Sequence, residues 1–360
     1  MVRHLSGVRD PRRQWGNLKH LLIDILVIGM CTILCDGEDF VDMEEYGNDK
    51  TEWLQGFLAL PHGIPDSDTF RRVFEVVNPK ELANCLRSWL DGERTRRQVC
   101  LDGKTVCGSG NSEHVALHVV TAWAEEARLS LGELAVDEKS NEITAIPKLL
   151  DLIDVEGEVV SIDAMGCQTD IADKIRNRKA DYLLAVKGNQ GHLFEDIAAY
   201  FDDCDDLPHE KWRGKLEKGH GRIERRSVMT APADWLDDRA KWHDIQTVIC
   251  SIGTRITDDV EVTTKRYYIS SLRAPPEKFA EQIRNHWSIE NHLHWALDVT
   301  FREDQSRAKK DNSPLNLNVL RKFALPILHA CKVGRLSAQK KRKKAARNPD
   351  FLNQLLFSQK

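Results

Sequence analysis

Two aspartates sit where apolar, strand-like runs pause or end: Asp102 in "QVCLDGKTV" and Asp163 in "VVSIDAMGCQ". Either one alone reads as a cap or turn residue. Side by side they repel each other unless something positive lies between them, and oxygen-only ligands suit Mg2+ or Mn2+. A third acid is then worth seeking on a late helix. In "IRNHWSIENHLHWAL", positions 283, 287, 290, 293, 294 and 297 read Ile, Trp, Glu, Leu, His and Leu, so Glu290 falls on or beside an apolar stripe of helical period. A carboxylate facing a core needs a partner. Two metal ions bridged by Asp102 and Asp163, with Glu290 holding one of them, would activate a nucleophile and stabilise the leaving oxygen of a phosphodiester.

The elements around these acids must bring them together. From Gln98 onward, "QVCLDGKTV", "HVALHVVTAWAEEA" and "LSLGELAVDE" predict a three-strand meander, with a turn-like "GSGNSE" after the first. Helix and strand then alternate through "EITAIPKLLDLID", "EVVSIDA", "TDIADKIRNRK", "DYLLAVKG" and "QGHLFEDIAAYF", which predicts parallel strands joined by crossovers. In the order β-β-β-α-β-α-β-α the first and fourth strands are neighbours, and ligands of open α/β sheets gather at the strands' carboxyl ends. Asp102 and Asp163 therefore share one site.

The rest of the chain divides around that core. Residues 1–97 predict a helical N-terminal domain, with an apolar helix near 18–35 and a helix from Thr69 to Val77 capped by Asp66 or Ser67 and stopped by Pro79. Residues 98–202 form the first part of the core, 203–275 a β-rich insertion, and 276–333 the core's final helices. A basic tail, 334–360, is expected to be mobile away from partners.

Composition excludes several classes. Over 360 residues the charge is only -4, so any DNA-binding surface must be a local patch. Nine cysteines without a CxxC pair favour a reducing compartment and argue against a cysteine zinc site. The apolar run "LLIDILVIGMCTILC" is shorter than the ~20 residues of a membrane span and reads as a buried helix. "GKTV" lacks the upstream glycine of a phosphate loop, since position 98 is Gln. His292 and His294 are two apart and point to different sides of a helix, which disfavours zinc.

The motifs "LDGKTV", "VSIDAMGCQ", "YLLAVKGNQ" and "RNHWSIENHLHWALDVTFREDQSR" closely resemble insertion-sequence transposases of the DDE superfamily, in the H-repeat-associated group. The resemblance runs from "IPDSDTFRRVF" to "LHA" near residue 330. It implies an α/β fold, an RNase H-like mixed sheet flanked by helices and interrupted by the β-rich insertion, and it carries the acidic triad onto Asp102, Asp163 and Glu290. It also implies two Mg2+ or Mn2+ ions per active site and double-stranded DNA, both element ends and target, as the partner. A homodimer in the synaptic complex and a cytoplasmic, nucleoid-associated prokaryotic setting complete what it implies. One departure stands out: the Tyr-x2-Arg-x3-Glu-x6-Lys signature of related enzymes reads Ile283, His286, Glu290 and Leu297 here. Arg284, His286 or Lys187 then becomes the replacement contact to an end phosphate.

Further DNA-facing candidates follow. Lys104 points toward phosphate from the first strand, and Gln168, Lys187 and Asn189 lie near the carboxyl ends of the strands. In "KGHGRIERR", strand alternation puts Arg222, Glu224 and Arg226 on one face and Arg225 on the other, either as a solvated face or as a phosphate-contacting strand. Trp242 is a candidate for stacking on an unpaired base, and Asn291 adjoins Glu290. Seven Lys or Arg without an acid between Arg335 and Arg347 give the tail nonspecific DNA affinity. The reading is a DNA transposase; its rivals are a nuclease of the same fold without strand transfer and a catalytically silent DNA-binding relative.

Overall fold

A computed structural model of the chain describes every residue except 13–17, 91–96, 111–114, 137–140, 204–206, 220, 259 and 358–360. Part of the "GSGNSE" turn and Cys204 lie outside the described residues. The N-terminal region folds as helices α1 (Val2–Leu5), α2 (Leu22–Leu34), α3 (Phe40–Asp49), α4 (Thr51–Gln55), α5 (Ser67–Val76) and α6 (Pro79–Leu90). Helix α2 is buried on nearly every side, and its one acid, Asp24, accepts a hydrogen bond from the Leu60 amide at 3.0 Å. No helix among the described residues is long and apolar enough to cross a membrane. Asp66 caps α5 by accepting from the Thr69 amide at 2.6 Å, and Pro79 opens α6, where its missing N–H costs nothing.

The central sheet begins with the antiparallel meander β1 (Gln98–Val106), β2 (Leu117–Ala124) and β3 (Leu129–Val136). It continues through α7 (Glu142–Leu152), β4 (Val159–Ile162), α8 (Thr169–Asn177), β5 (Asp181–Val186) and α9 (Gly191–Asp202). β4 pairs parallel to both β1 and β5. The order β3-β2-β1-β4-β5, with helices flanking it, is the RNase H-like arrangement expected from the sequence.

The insertion does not stand apart from this sheet. Strands β6 (Glu210–Arg213), β7 (Glu217–Gly219), β8 (Arg222–Pro232), β9 (Thr247–Thr257) and β10 (Val260–Ser270) extend it, because β10 pairs antiparallel with β5 and the order runs on as β10-β9-β8-β6. The result is one mixed ten-stranded sheet. Position along the strand explains how β10 serves both roles: the last four residues, which pair with β5, are buried, and the first seven are exposed.

Helix α10 (Pro276–Ile289) then returns across the sheet. Its Phe279 and Ile283 enter an apolar cluster with Leu183, Val228, Ile249 and Tyr268, so one helix clamps core and insertion strands together. Ile283 at the signature's tyrosine position is thereby a core residue. After α10 the chain widens into π-helix over Glu290–His294 and Ala296–Thr300, with the Phe301 amide donating to the Ala296 carbonyl five residues back at 3.1 Å. α11 (Ser313–Ala330) is almost entirely buried between the N-terminal helices and the sheet.

The tail differs from expectation: residues Ala338–Arg347 form α12 and Pro349–Phe357 form α13, both packed on the N-terminal helices and α11. Arg342 is fully buried, donates to the carbonyls of Ile33 (2.9 Å), Gly37 (3.0 Å) and Thr300, and pairs with Asp36 at 3.2 Å. Lys341 donates to the carbonyls of Leu328 and Cys331. Those carbonyls need donors, and two cations of the basic run meet that need instead of facing a partner.

Candidate active site

The parallel register of β1 and β4 sets the site. Leu101 pairs with Ile162, so one step further along Asp102 stands opposite Asp163. Paired strands lie about 4.8 Å apart, and in-register residues of parallel strands project to the same face. β4 ends at Ile162, which leaves Asp163 at its carboxyl end, where Asp163 Oδ1 accepts from the amides of Met165 (3.0 Å) and Gly166 (3.3 Å). Asp102 Oδ1 accepts from the Gly103 amide at 3.0 Å.

Electrostatics register the crowding. Burial, with the negative charges of Asp163, Glu142 and Glu290, pushes the Asp102 carboxyl up to about 7 despite the Gly103 hydrogen bond. A carboxylate raised by burial and by neighbouring acids is one whose charge a cation would favour.

The same face of β1 meets α10 and its π-helical extension in sequence. Gln98 donates from Nε2 to the Gln282 carbonyl and to Ser161 Oγ, both at 2.9 Å. The Cys100 thiol reaches the Asn285 carbonyl at 3.7 Å. Asp102 Oδ2 lies 3.5 Å from His294 Nδ1, and Lys104 Nζ lies 2.7 Å from Asp298. Between these contacts lies Glu290, whose negative charge is among those that act on Asp102.

Glu290 nevertheless does not face the core. It is exposed, and it lines a groove of about 1350 Å3 between α10 and the insertion strands. The buried face of α10 runs through Phe279, Gln282, Ile283, His286 and Ile289, and Trp287 and Glu290 fall beside it, exposed.

The remaining candidates separate into three groups. Lys187 and Asn189 lie exposed just beyond β5, where Asn189 donates to the Ala164 carbonyl at 2.7 Å beside Asp163. Gln168 donates to the Met165 carbonyl at 3.3 Å in the same turn. Arg284 and Asn291 are exposed on the groove, and Arg226 lines it too. Arg222 and Arg226 both pair with Glu224, as their shared face requires, and Arg225 is half-buried.

Three assignments are corrected by burial. His286 is 8% exposed, bonds through Nδ1 to Ser161 at 3.1 Å, and is driven down to about 4 by desolvation, so it is neutral near pH 7 and holds α10 to β4. Trp242 is 4% exposed and packs in the core, where no base can stack. Lys104 is locked by Asp298, with Glu303 and Asp304 at 3.6 and 3.7 Å, and therefore anchors the π-helical segment rather than reaching phosphate.

Sequence reasoning missed a pair beside Asp102. Glu142 and His118 bond at 2.7 Å, and His118 reaches Thr105 at 3.0 Å. Gly103 admits them: a Cβ there would meet Glu142 Oε1 at 2.2 Å and His118 Nε2 at 2.6 Å. A glycine inside a strand is the signal that marks such a close approach. His292 and His294 do diverge, to Glu125 at 2.9 Å and to Asp102.

Comparison with known proteins adds the family. The family described as DDE_Tnp_1-associated matches residues 2–90, and that described as Transposase DDE domain matches residues 93–325. The chain is 34% identical over 370 residues to the "H repeat-associated putative transposase YhhI" of Escherichia coli K12, covering 99% of this chain and 97% of that one. It is 35% identical over 376 residues to the "Putative transposase YncI" of Escherichia coli O157:H7, covering 99% and 94%. The cryo-EM structure of a piggyBac transposase synaptic complex with hairpin DNA aligns at 8% identity and a TM-score of 0.46, over 99% of this chain and 78% of that one.

Proposed function

We propose, from the premise that this chain belongs to the DDE transposase family, that it cuts DNA at the ends of its insertion sequence and joins the freed 3′ ends to target DNA, with Asp102, Asp163 and Glu290 as the acidic triad. The observation that carries the reading is the β1–β4 register, which sets Asp102 against Asp163 at a position where burial and that neighbouring charge raise the Asp102 carboxyl to about 7.

Asp102 and Asp163 have the donor chemistry of a site for hard divalent cations. The donors are all carboxylate oxygens, and the repulsion among them is what an ion would relieve. Among the described residues no three acidic, imidazole or thiol side chains converge closely enough to enclose an ion. Glu290 would complete the site from the groove wall. When bound, two Mg2+ or Mn2+ ions supply an activated nucleophile and neutralise charge on the leaving oxygen.

The protein's own part is placement. The Met165 and Gly166 amides pin Asp163, the Gly103 amide pins Asp102, and neutral His286 bonded to Ser161 fixes the helix that leads to Glu290. Arg226 and Arg284 on the groove, with Lys187 and Asn189 beyond β5, face the DNA backbone, where phosphate contacts set register without reading sequence. Synapsis of two ends calls for two protomers on DNA.

The test is cleavage and joining of a labelled element-end duplex with Mg2+ or Mn2+, comparing wild type with Asp163→Asn. Nicking and joined products that need metal and vanish in the variant are expected. Cleavage without joining makes the protein a nuclease of this fold, and end binding with no cleavage makes it a silent DNA-binding relative.

A further inference from the structure

Two arginines from different elements converge on one carboxylate. Glu217 Oε1 pairs with Arg284 of α10 at 2.8 Å, and Glu217 Oε2 pairs with Arg226 of β8 at 2.9 Å. The hydrogen bonds from these guanidiniums hold the Glu217 carboxyl below the usual range. Glu217 thus spans the groove from β7 to α10, the helix that immediately precedes Glu290.

The strand carrying it is poorly secured. β7 has three residues, all exposed, at the sheet's margin. Its register sets Glu217 directly opposite Glu224, a like-charge pair that is unfavourable across strands. Arg226, bonded to both at 2.9 and 3.0 Å, makes the pairing tolerable. Each of these pairs is largely solvated, so each adds little stability. A structural role for Glu217 is therefore weakly supported, while the site around it is well built for an anion: two guanidiniums from two elements presenting donors to two oxygens.

We infer that Glu217 occupies a phosphate site of the groove and that a DNA backbone phosphate displaces it, so the carboxylate competes with DNA and sets how much a weakly matched duplex is penalised. This rests on the transposase reading of the groove. Displacement frees Arg226 and Arg284 together and releases the edge strand from α10. A duplex that makes the full set of contacts outcompetes the carboxylate, whereas a random duplex held by a few phosphates does so poorly.

The experiment is fluorescence anisotropy in EDTA, without cleavage, using a labelled duplex of the terminal repeat that flanks the coding region and a scrambled duplex of equal length. Glu217→Gln should bind both roughly 3- to 30-fold more tightly at low salt, from the release of two exposed pairs. The gain should be larger for the scrambled duplex and shrink at high salt. Glu217→Asp, which retains the charge but is too short to bridge both guanidiniums, should give a smaller gain. Equal or weaker binding by a Glu217→Gln protein of unchanged melting temperature overturns the inference and leaves the transposase reading standing. A gain that persists undiminished in an Arg284→Gln background also overturns it, because net charge alone would then explain the effect. A wild type that neither prefers the terminal repeat nor cuts it with metal overturns both.

Discussion

Replacing Asp102 by Asn should stabilise the metal-free protein at pH 8 while abolishing its chemistry. Burial and the charges of Asp163, Glu142 and Glu290 raise this carboxyl from its ordinary 3.8 to about 7. The folded state therefore binds a proton more tightly than the unfolded chain between roughly pH 4 and pH 7, and folding stability falls as pH rises through that window. At 1.36 kcal/mol for each tenfold change in proton affinity, the full penalty above pH 7 is on the order of 4 kcal/mol. The side chain is 19% exposed, so little of that is lost to solvent screening. Asn keeps the shape and carries no charge. Urea denaturation in EDTA should show the variant more stable than wild type by up to about 4 kcal/mol at pH 8, with the difference gone by pH 4. Added Mg2+ should stabilise wild type at pH 8 and leave the variant nearly unmoved, since an ion that binds only the folded state adds its binding energy to stability. A variant equally or less stable at pH 8, or a gain independent of pH, would show that the four acids are not coupled as described.

Three further outcomes follow from packing. Gly103→Ala brings a methyl within 2.2 Å of Glu142 Oε1, so thermal unfolding should show a loss of about 1–3 kcal/mol from overpacking beside Asp102. Arg342→Met removes the donor to three carbonyls and the ion-pair partner of Asp36 and should cost about 3–5 kcal/mol in urea, whereas Lys343→Ala, at an exposed position of the same helix, should stay within about 0.5 kcal/mol.

What the sequence made legible depended on period. Alternating strands and helices fix which strands are neighbours, and neighbouring parallel strands put Asp102 beside Asp163 without any knowledge of side-chain contacts. Glu290 is exposed instead of facing the core, because the buried face of α10 runs through His286 and Ile289, one position away from the stripe through Trp287 and Glu290. His286 is a polar group held buried by Ser161, 125 residues away in sequence, and Trp242 is an amphipathic group whose 4% exposure no local period announces. Lys104 was drawn away by Asp298 and Glu303, which approach only once the chain has returned from the insertion. The basic run of α12 misled for the opposite reason: charge density predicts solvation, yet carbonyls left open at Ile33, Gly37 and Leu328 take up Arg342 and Lys341.

The continuity of the sheet governs the order in which the chain is finished during synthesis. β5 gains its second neighbour only when Tyr267–Ser270 pair with Leu183–Val186, about 80 residues after β5 has been made. At ribosomal speeds of about 5–20 residues per second that is roughly 4–16 s during which an apolar strand has one open edge. A nascent chain in that interval carries both aspartates and a surface able to pair with another chain's strand. Premature termination inside the insertion would leave that edge open for good, so a truncated product is expected to aggregate rather than to persist as a DNA-binding fragment.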